Sequence, residues 1–359
     1  MNKAKLALLF VCKAIGLFAI VRRCTRRRLR ILCYHGFELV DETAFRPKLF
    51  IDAATFEQRL ATIDKLGFEV LPLHDAVERL RAGRLPDNAV VITIDDGFDS
   101  CRAIAMPRLA RHGFPATLYV TSYYVEHQNP IFRLAVQYMF WKTRLRRLDL
   151  AAIVGGDVHE VDLENAAARE RATWTLIDIG EREHDETGRC AIARKLGDAL
   201  AVPYEDLVRS RILTLLRGAD LATLEEAGIS IELHTHRHRF PAEDRSAAER
   251  EIAENRAALA RWLSGEKTHF CYPSGVWDAR EWPWLEQMGI RSATTCVAGL
   301  NDSATPRYAL RRFLDGSNVH QLEFEAALSG FDTLAHGLVD TCRRWLGGST
   351  ARPEPATGV

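Results

Sequence analysis

The chain has no surplus of charge of either sign: 48 Lys and Arg stand against 48 Asp and Glu in 359 residues. As a whole it therefore carries no electrostatic bias toward a nucleic-acid backbone. It has no paired cysteine spacing. The eight cysteines (Cys12, Cys24, Cys33, Cys101, Cys190, Cys271, Cys296 and Cys342) are scattered, which suits free thiols in a reducing compartment better than a disulfide framework. It has no internal repeat. It also lacks the ~20-residue apolar run of a membrane span: LALLFVCKAIGLFAIV, residues 6–21, stops at 16 and carries Lys13 in its middle. No small-residue cleavage site follows, and the six arginines of RRCTRRRLR (22–30) oppose translocation.

What is present is ordinary globular composition, 47% hydrophobic and 27% charged, enough for one large domain or two ordinary ones. Residues 1–28 read as a basic amphipathic helix. Leu8, Leu9, Val11, Ile15, Phe18 and Ile20 offer an apolar side, and Lys13 with Arg22 to Arg30 offers cations for acidic headgroups. The expected location is cytoplasmic, with this helix lying on the inner membrane face or packed on the protein's own core. The alternative is a membrane-anchored chain with an exported domain.

From residue 29 short apolar runs alternate with helix-period segments. LRILCYH (29–35), FEVLPL (68–73), AVVITID (89–95), PATLYVT (115–121), ISIELHT (229–235), THFCYP (268–273) and IRSATTC (290–296) read as seven strands. TFEQRLATIDKL reads as a helix opened by a Thr55–Gln58 capping box. Residues 122–219 break the rhythm with helical stretches and no clear strand, which predicts a largely helical insertion covering the rest. The division is 29–121 and 220–346 for the two parts of the repeating body, with C-terminal helices, and 347–359 for a tail without apolar periodicity. Seven parallel strands fit a closed barrel or an open doubly wound sheet. The loop GFELVDETAFRPKLFIDAA after the first strand has no glycine-rich fingerprint, which weakens a dinucleotide site.

In either architecture functional groups collect at the carboxyl ends of the strands. Those ends read Tyr34-His35-Gly36, Asp95-Asp96-Gly97, Thr121-Ser122-Tyr123, His234-Thr235-His236-Arg237-His238 and Tyr272-Pro273-Ser274-Gly275. Adjacent carboxylates behind a buried strand favour a cation or a shared proton. One carboxylate with two imidazoles leaves coordination positions open, as in a catalytic rather than a structural zinc site. The other carboxylate is then free to act as a base.

On these residues the chain resembles the polysaccharide deacetylase family, carbohydrate esterase family 4, also called the nodulation-type deacetylase domain. Its T-F-D-D-G motif matches Thr93-Ile94-Asp95-Asp96-Gly97 with one conservative change, Ile94 for phenylalanine, and its H-[ST]-x-x-H motif matches His234-Thr235-His236-Arg237-His238 in full. The resemblance implies a distorted seven-stranded (β/α) barrel and hydrolysis of an N-acetyl amide on an amino sugar. It makes Asp95 the general base and Asp96, His234 and His238 ligands of a divalent metal, zinc first. His236 falls at a variable position and reads as a supporting or surface residue.

The family's R-x-P-Y motif aligns with Cys271-Tyr272-Pro273-Ser274 and keeps only the proline. The backbone N–H of Ser274 remains available for an oxyanion, and Arg311 or Arg312 is expected to replace the absent arginine. His35, Tyr272, Pro273 and Arg312 are further candidates for substrate contact, and His35 also for the proton donor. His320 reads as a helix start and takes no role. The partner implied is an N-acetylated saccharide, with peripheral membrane contact and no nucleic acid. Two other readings stand beside it: a deacylase or deformylase of a lipid-linked sugar (or a cyclic amide hydrolase), and a carbohydrate-binding protein whose metal is structural.

Overall fold

The computed structural model describes residues 3–155 and 160–334; the expected C-terminal tail lies outside them. All seven expected strands are present, as β1 (Arg30–Tyr34), β2 (Glu69–Val70), β3 (Ala89–Ile94), β4 (Thr117–Val120), β5 (Ser230–Leu233), β6 (His269–Cys271) and β7 (Ser292–Thr294). An eighth, β8 (Phe313–Leu314), pairs with β1. Every pairing in this sheet is parallel, in the order β7-β6-β5-β4-β3-β1-β8, with β2 beside the first residues of β3. Leu310, just before β8, bridges Thr294 at the end of β7. The segment from Leu310 to Leu314 thus reaches both edge strands, and the sheet curls into a distorted barrel.

Strand composition explains this arrangement. All six residues of β3 and all five of β1 are buried, so neither strand has a polar face to give to water, the condition of a parallel sheet covered on both sides. The crossover helices bury one stripe each. Ala53–Lys65 turns Phe56, Leu60 and Ile63 inward, and Arg245–Leu259 buries Ala248, Ile252 and Leu259. The cap of the first of these helices is Asp52, which accepts from the Thr55 N–H at 2.8 Å, and not the Thr55–Gln58 box. Two capping residues three positions apart compete there, and the carboxylate at the start wins.

Residues 123–210 form five helices of five or more residues, the longest being Phe132–Lys142, Ala166–Glu183 and Glu186–Leu200. Contrary to expectation the insertion also holds strands, an antiparallel ribbon of Arg147–Asp149 with Glu160–Asp162. Three-residue strands rich in charge give no apolar run by which to find them. The insertion leaves the barrel after β4 and returns to the same rim. Leu216 N–H donates to Gly97 O at 2.9 Å, and Asp99 N–H donates to Thr214 O at 2.9 Å.

The N-terminal segment is two helices, Lys3–Ala14 and Leu17–Cys24, bent by 75°. The break falls at Gly16, whose φ of 80° is left-handed. Leu9, Cys12 and Phe18 pack on the helix Gln321–Ser329. No single helix among the described residues is long and apolar enough to cross a membrane.

Candidate active site

β3 hands its last hydrogen bond to the turn: Asp95 N–H donates to Tyr34 O at 2.8 Å. The chain then reverses through two left-handed residues, Asp96 at φ 68° and Gly97 at φ 90°. A Cβ on Gly97 would stand 3.3 Å from the Val120 side chain, so both conformation and space call for glycine. Asp96 has no such excuse. A non-glycine residue held there costs on the order of 1–3 kcal/mol, typical of functional turns. The result is two buried carboxylates facing different partners.

Asp95 faces Arg312. The guanidinium donates from Nη1 to Oδ1 at 2.7 Å and from Nη2 to Oδ2 at 2.8 Å, a two-point fork that fixes the plane of the carboxylate. Arg312 is itself held by Thr295 O at 2.9 Å and Thr93 Oγ1 at 3.2 Å. The thiols of Cys271 and Cys33 lie 3.3 and 3.5 Å from Oδ2. Burial alone would raise the Asp95 pKa, but the Arg312 charge and its hydrogen bonds, with His35 and His234, together outweigh it and hold the carboxyl well below the usual range. Of the two arginines offered by the sequence, Arg312 does this; Arg311 is exposed and runs over Gly299. Arg312 is fully buried, so it orients Asp95 as the replacement arginine was expected to, and does not reach the surface as the expected substrate contact would require.

The fork has a measurable consequence. Arg312→Met leaves Asp95 buried without its counter-charge, which typically costs about 3–5 kcal/mol. In the native protein the depressed Asp95 contributes stability above the ordinary carboxyl pKa of about 3.9, and that contribution is lost as pH falls. In the variant, burial, the largest influence on Asp95, is opposed only by the weaker effects of His35 and His234, and the sign reverses. Chemical denaturation at pH 7 and pH 5 should show the deficit of Arg312→Met shrinking at the lower pH. A deficit that is equal at both would detach Arg312 from Asp95.

Asp96 faces two imidazoles. The Nε2 atoms of His234 and His238 each lie 3.3 Å from Asp96 Oδ1, and the three donor atoms fall within 4.8 Å of one another. His234 Nδ1 lies 2.8 Å from Cys271 O; a carbonyl only accepts, so Nδ1 carries a proton and Nε2 is the atom turned toward Asp96. Burial lowers His238 to about 4, which keeps it neutral and able to ligate at pH 7. Asp96 Oδ1 is buried and has no hydrogen-bond partner. A converging carboxylate oxygen and two imidazole nitrogens, with that oxygen otherwise unsatisfied, fit a divalent cation.

The loop that carries the histidines is tight, with Thr235 at φ 62° and His238 at φ 54°. His236 is buried rather than on the surface. Its Nδ1 meets Ser122 Oγ at 2.9 Å and its carbonyl accepts from Tyr123 N–H at 2.9 Å. It ties the start of the insertion to the loop that carries His234 and His238. Among the aromatics of the insertion, Tyr123 lies against His236, with ring centroids 5.7 Å apart. Phe140 is buried in the core and Trp141 packs on Phe45 and Tyr138.

The third strand-end motif divides. Tyr272 is fully buried and its hydroxyl donates to Tyr308 O at 3.0 Å; it is a core residue, and the expectation of substrate contact is wrong. Pro273 is buried with it. Ser274 takes φ 56°, and its N–H donates to no protein group among the described residues. His35 stands at the rim with Nε2 3.8 Å from Asp95 Oδ2, part exposed, and its Nδ1 has no partner. His320 caps the helix Gln321–Ser329 through Nδ1, which accepts from Leu322 N–H at 3.2 Å, as its sequence context implies.

One supporting residue escaped the sequence reading. Asn255, fully buried on the helix Arg245–Leu259, accepts from His234 N–H at 3.1 Å and donates to Val120 O and Ser122 Oγ at 3.0 and 2.9 Å. Its signal was an asparagine on the apolar stripe between Ile252 and Leu259.

Residues 205–293 match the family model for polysaccharide deacetylases, a span that includes both histidines and Ser274. No curated protein matches the sequence. Among solved structures the chain is similar to the Streptococcus pyogenes deacetylase PplD in complex with acetate, at 15% identity and TM-score 0.54, covering 84% of this chain and 98% of that one. It is similar to IcaB from Ammonifex degensii at 16% identity and TM-score 0.51, covering 84% and 97%. A de-N-acetylase from Aggregatibacter actinomycetemcomitans aligns at 13% identity and TM-score 0.52, covering 84% and 99%. At such identities the likeness is one of fold. The matched segment, residues 205–293, is thus similar to a polysaccharide deacetylase domain, and the whole chain shares its fold with solved deacetylases.

Proposed function

We propose that this protein removes the N-acetyl group from an amino sugar within a saccharide, using one divalent metal held by Asp96, His234 and His238. The observation that carries the reading is the division of labour at the Asp-Asp turn: one carboxylate is forked by an arginine, the other is aimed at two imidazoles. Two nitrogens and one carboxylate oxygen suit zinc. Bound there, the ion would polarise the amide carbonyl and acidify the attacking water.

The chain's own groups supply the rest. Asp95 accepts the proton of the attacking water. The unbonded Ser274 N–H donates to the carbonyl oxygen as it gains charge. His35 delivers a proton to the departing nitrogen, the C–N bond breaks, and acetate and the free amino sugar leave. The insertion from 122 to 219 serves as a cover, supported by its return to the rim at Thr214 and Leu216.

The test is acetate release from an N-acetylglucosamine oligosaccharide, stopped by a chelator and restored by zinc. His35→Asn should slow that amide by roughly 10²–10⁴-fold while slowing an activated acetyl ester far less, because an aryloxide leaves without a proton. Equal losses on both substrates would remove His35 from the donor role.

A further inference from the structure

The helix Lys3–Ala14 lies on the protein with Lys5 and Lys13 turned toward the body and much of its apolar side outward. Lys5 reaches Glu323 at 2.6 Å and Lys13 reaches Glu325 at 2.5 Å, both on the helix Gln321–Ser329. Leu9 and Cys12 fill the space between. On the opposite side Leu8, Phe10 and Val11 are 60%, 63% and 53% exposed, and beyond the helix Ile15 and Ile20 are 68% and 58% exposed. The helix Leu17–Cys24 rests on the same support through Phe18 and Val21, so the outward sides of both helices look away from one body. Five large aliphatic and aromatic side chains held in water on adjoining helices form a patch that monomers seldom leave bare.

We infer that this patch is a docking surface for an anionic lipid bilayer. Charge selects the occupant. The chain is neutral overall, yet its first 37 residues hold nine Lys and Arg and no Asp or Glu. Arg23 and Arg27 are exposed, with no ion pair among the described residues, at the third and seventh positions after Ile20. A second copy of the chain would bring the same positive charge against itself. A bilayer rich in acidic headgroups offers hydrocarbon for the five side chains and phosphate for the arginines. The helix Lys3–Ala14 has 12 residues, about 18 Å at 1.5 Å per residue, too short for the ~30 Å of a hydrocarbon core. It lies in the interface rather than across it. The inference does not depend on the hydrolase reading.

Flotation of the full chain with phosphatidylglycerol–phosphatidylcholine vesicles tests it, with pure phosphatidylcholine as control. Binding should be confined to the anionic vesicles and should weaken with salt, since each basic side chain at such a surface is worth roughly fivefold in partition. The double variant Phe10→Glu, Val11→Glu changes only exposed positions. It should keep the thermal unfolding midpoint and deacetylation of a soluble saccharide while losing at least about a hundredfold in partition. Arg23→Glu with Arg27→Glu should reduce the preference for anionic over neutral vesicles. Three results would overturn the inference: a full chain that stays in solution at low salt, a dimer that Phe10→Glu, Val11→Glu dissociates, or a bound protein that resists alkaline carbonate as a spanning segment does.

Discussion

Asp95→Asn is expected to keep its metal and lose roughly 10²–10⁴-fold in amide hydrolysis, the usual contribution of a positioned acid–base group. The asparagine fills nearly the same volume and still offers one oxygen to the Arg312 fork, so the strand end should hold. What disappears is the negative charge that takes the proton. Because Arg312, with His35 and His234, holds the carboxyl well below the usual range, Asp95 is ionised at neutral pH, and rescue of the variant by raising pH is not expected. Zinc content by elemental analysis and turnover should be measured on the same preparation. A variant with full metal and near-native turnover would remove Asp95 from the base role.

His234→Ala and Asp96→Asn are expected to do the opposite, losing metal and activity together. Removing a ligand should exceed the roughly 10–100-fold penalty typical of losing an outer partner of a metal site. Asp96 supplies the single oxygen near which both imidazoles converge, at 3.3 Å each, and its loss leaves a pair of neutral nitrogens. The same logic sets the acid limit of the native enzyme. An imidazole ligates only when neutral, so protons compete with the ion for both histidines, and metal content and rate should fall in parallel as pH is lowered. A rate that falls while the metal stays bound would place the acid limb on another group.

The barrel strands were legible because each is a short apolar run followed at once by polar residues, and the rim inherits those residues in order. Asp95, Asp96, His234 and His238 are brought together as their motifs imply. What sequence could not supply was the direction of side chains in strands of two or three residues. Successive residues point to opposite faces, so Arg311 and Arg312 were equal candidates until the pairing of Phe313 with Leu32 set the phase. Tyr272 failed for the same reason: one residue past β6, it turns into the core while Cys271 turns toward Asp95. β8 itself was invisible, because two residues inside RRFLD make no run. At the N-terminus the apolar set was visible but not its division. Leu9 and Phe18 face the body, whereas Leu8, Val11, Ile15 and Ile20 face out, and in a helix this apolar no periodicity separates the two sides.

The central claim is a single metal at the Asp-Asp turn, held by Asp96, His234 and His238, with Asp95 outside the ligand set. Anomalous diffraction at the zinc edge, from crystals grown with zinc, tests it most directly. The account predicts one strong peak within bonding distance of Asp96 Oδ1 and the Nε2 atoms of both histidines, and no contact with Asp95. A peak instead among Cys33, His35 and Asp95, or among Asp95, His234 and Cys271, the two other groups among the described residues whose donor atoms lie close enough to share an ion, would make Asp95 a ligand and overturn this assignment.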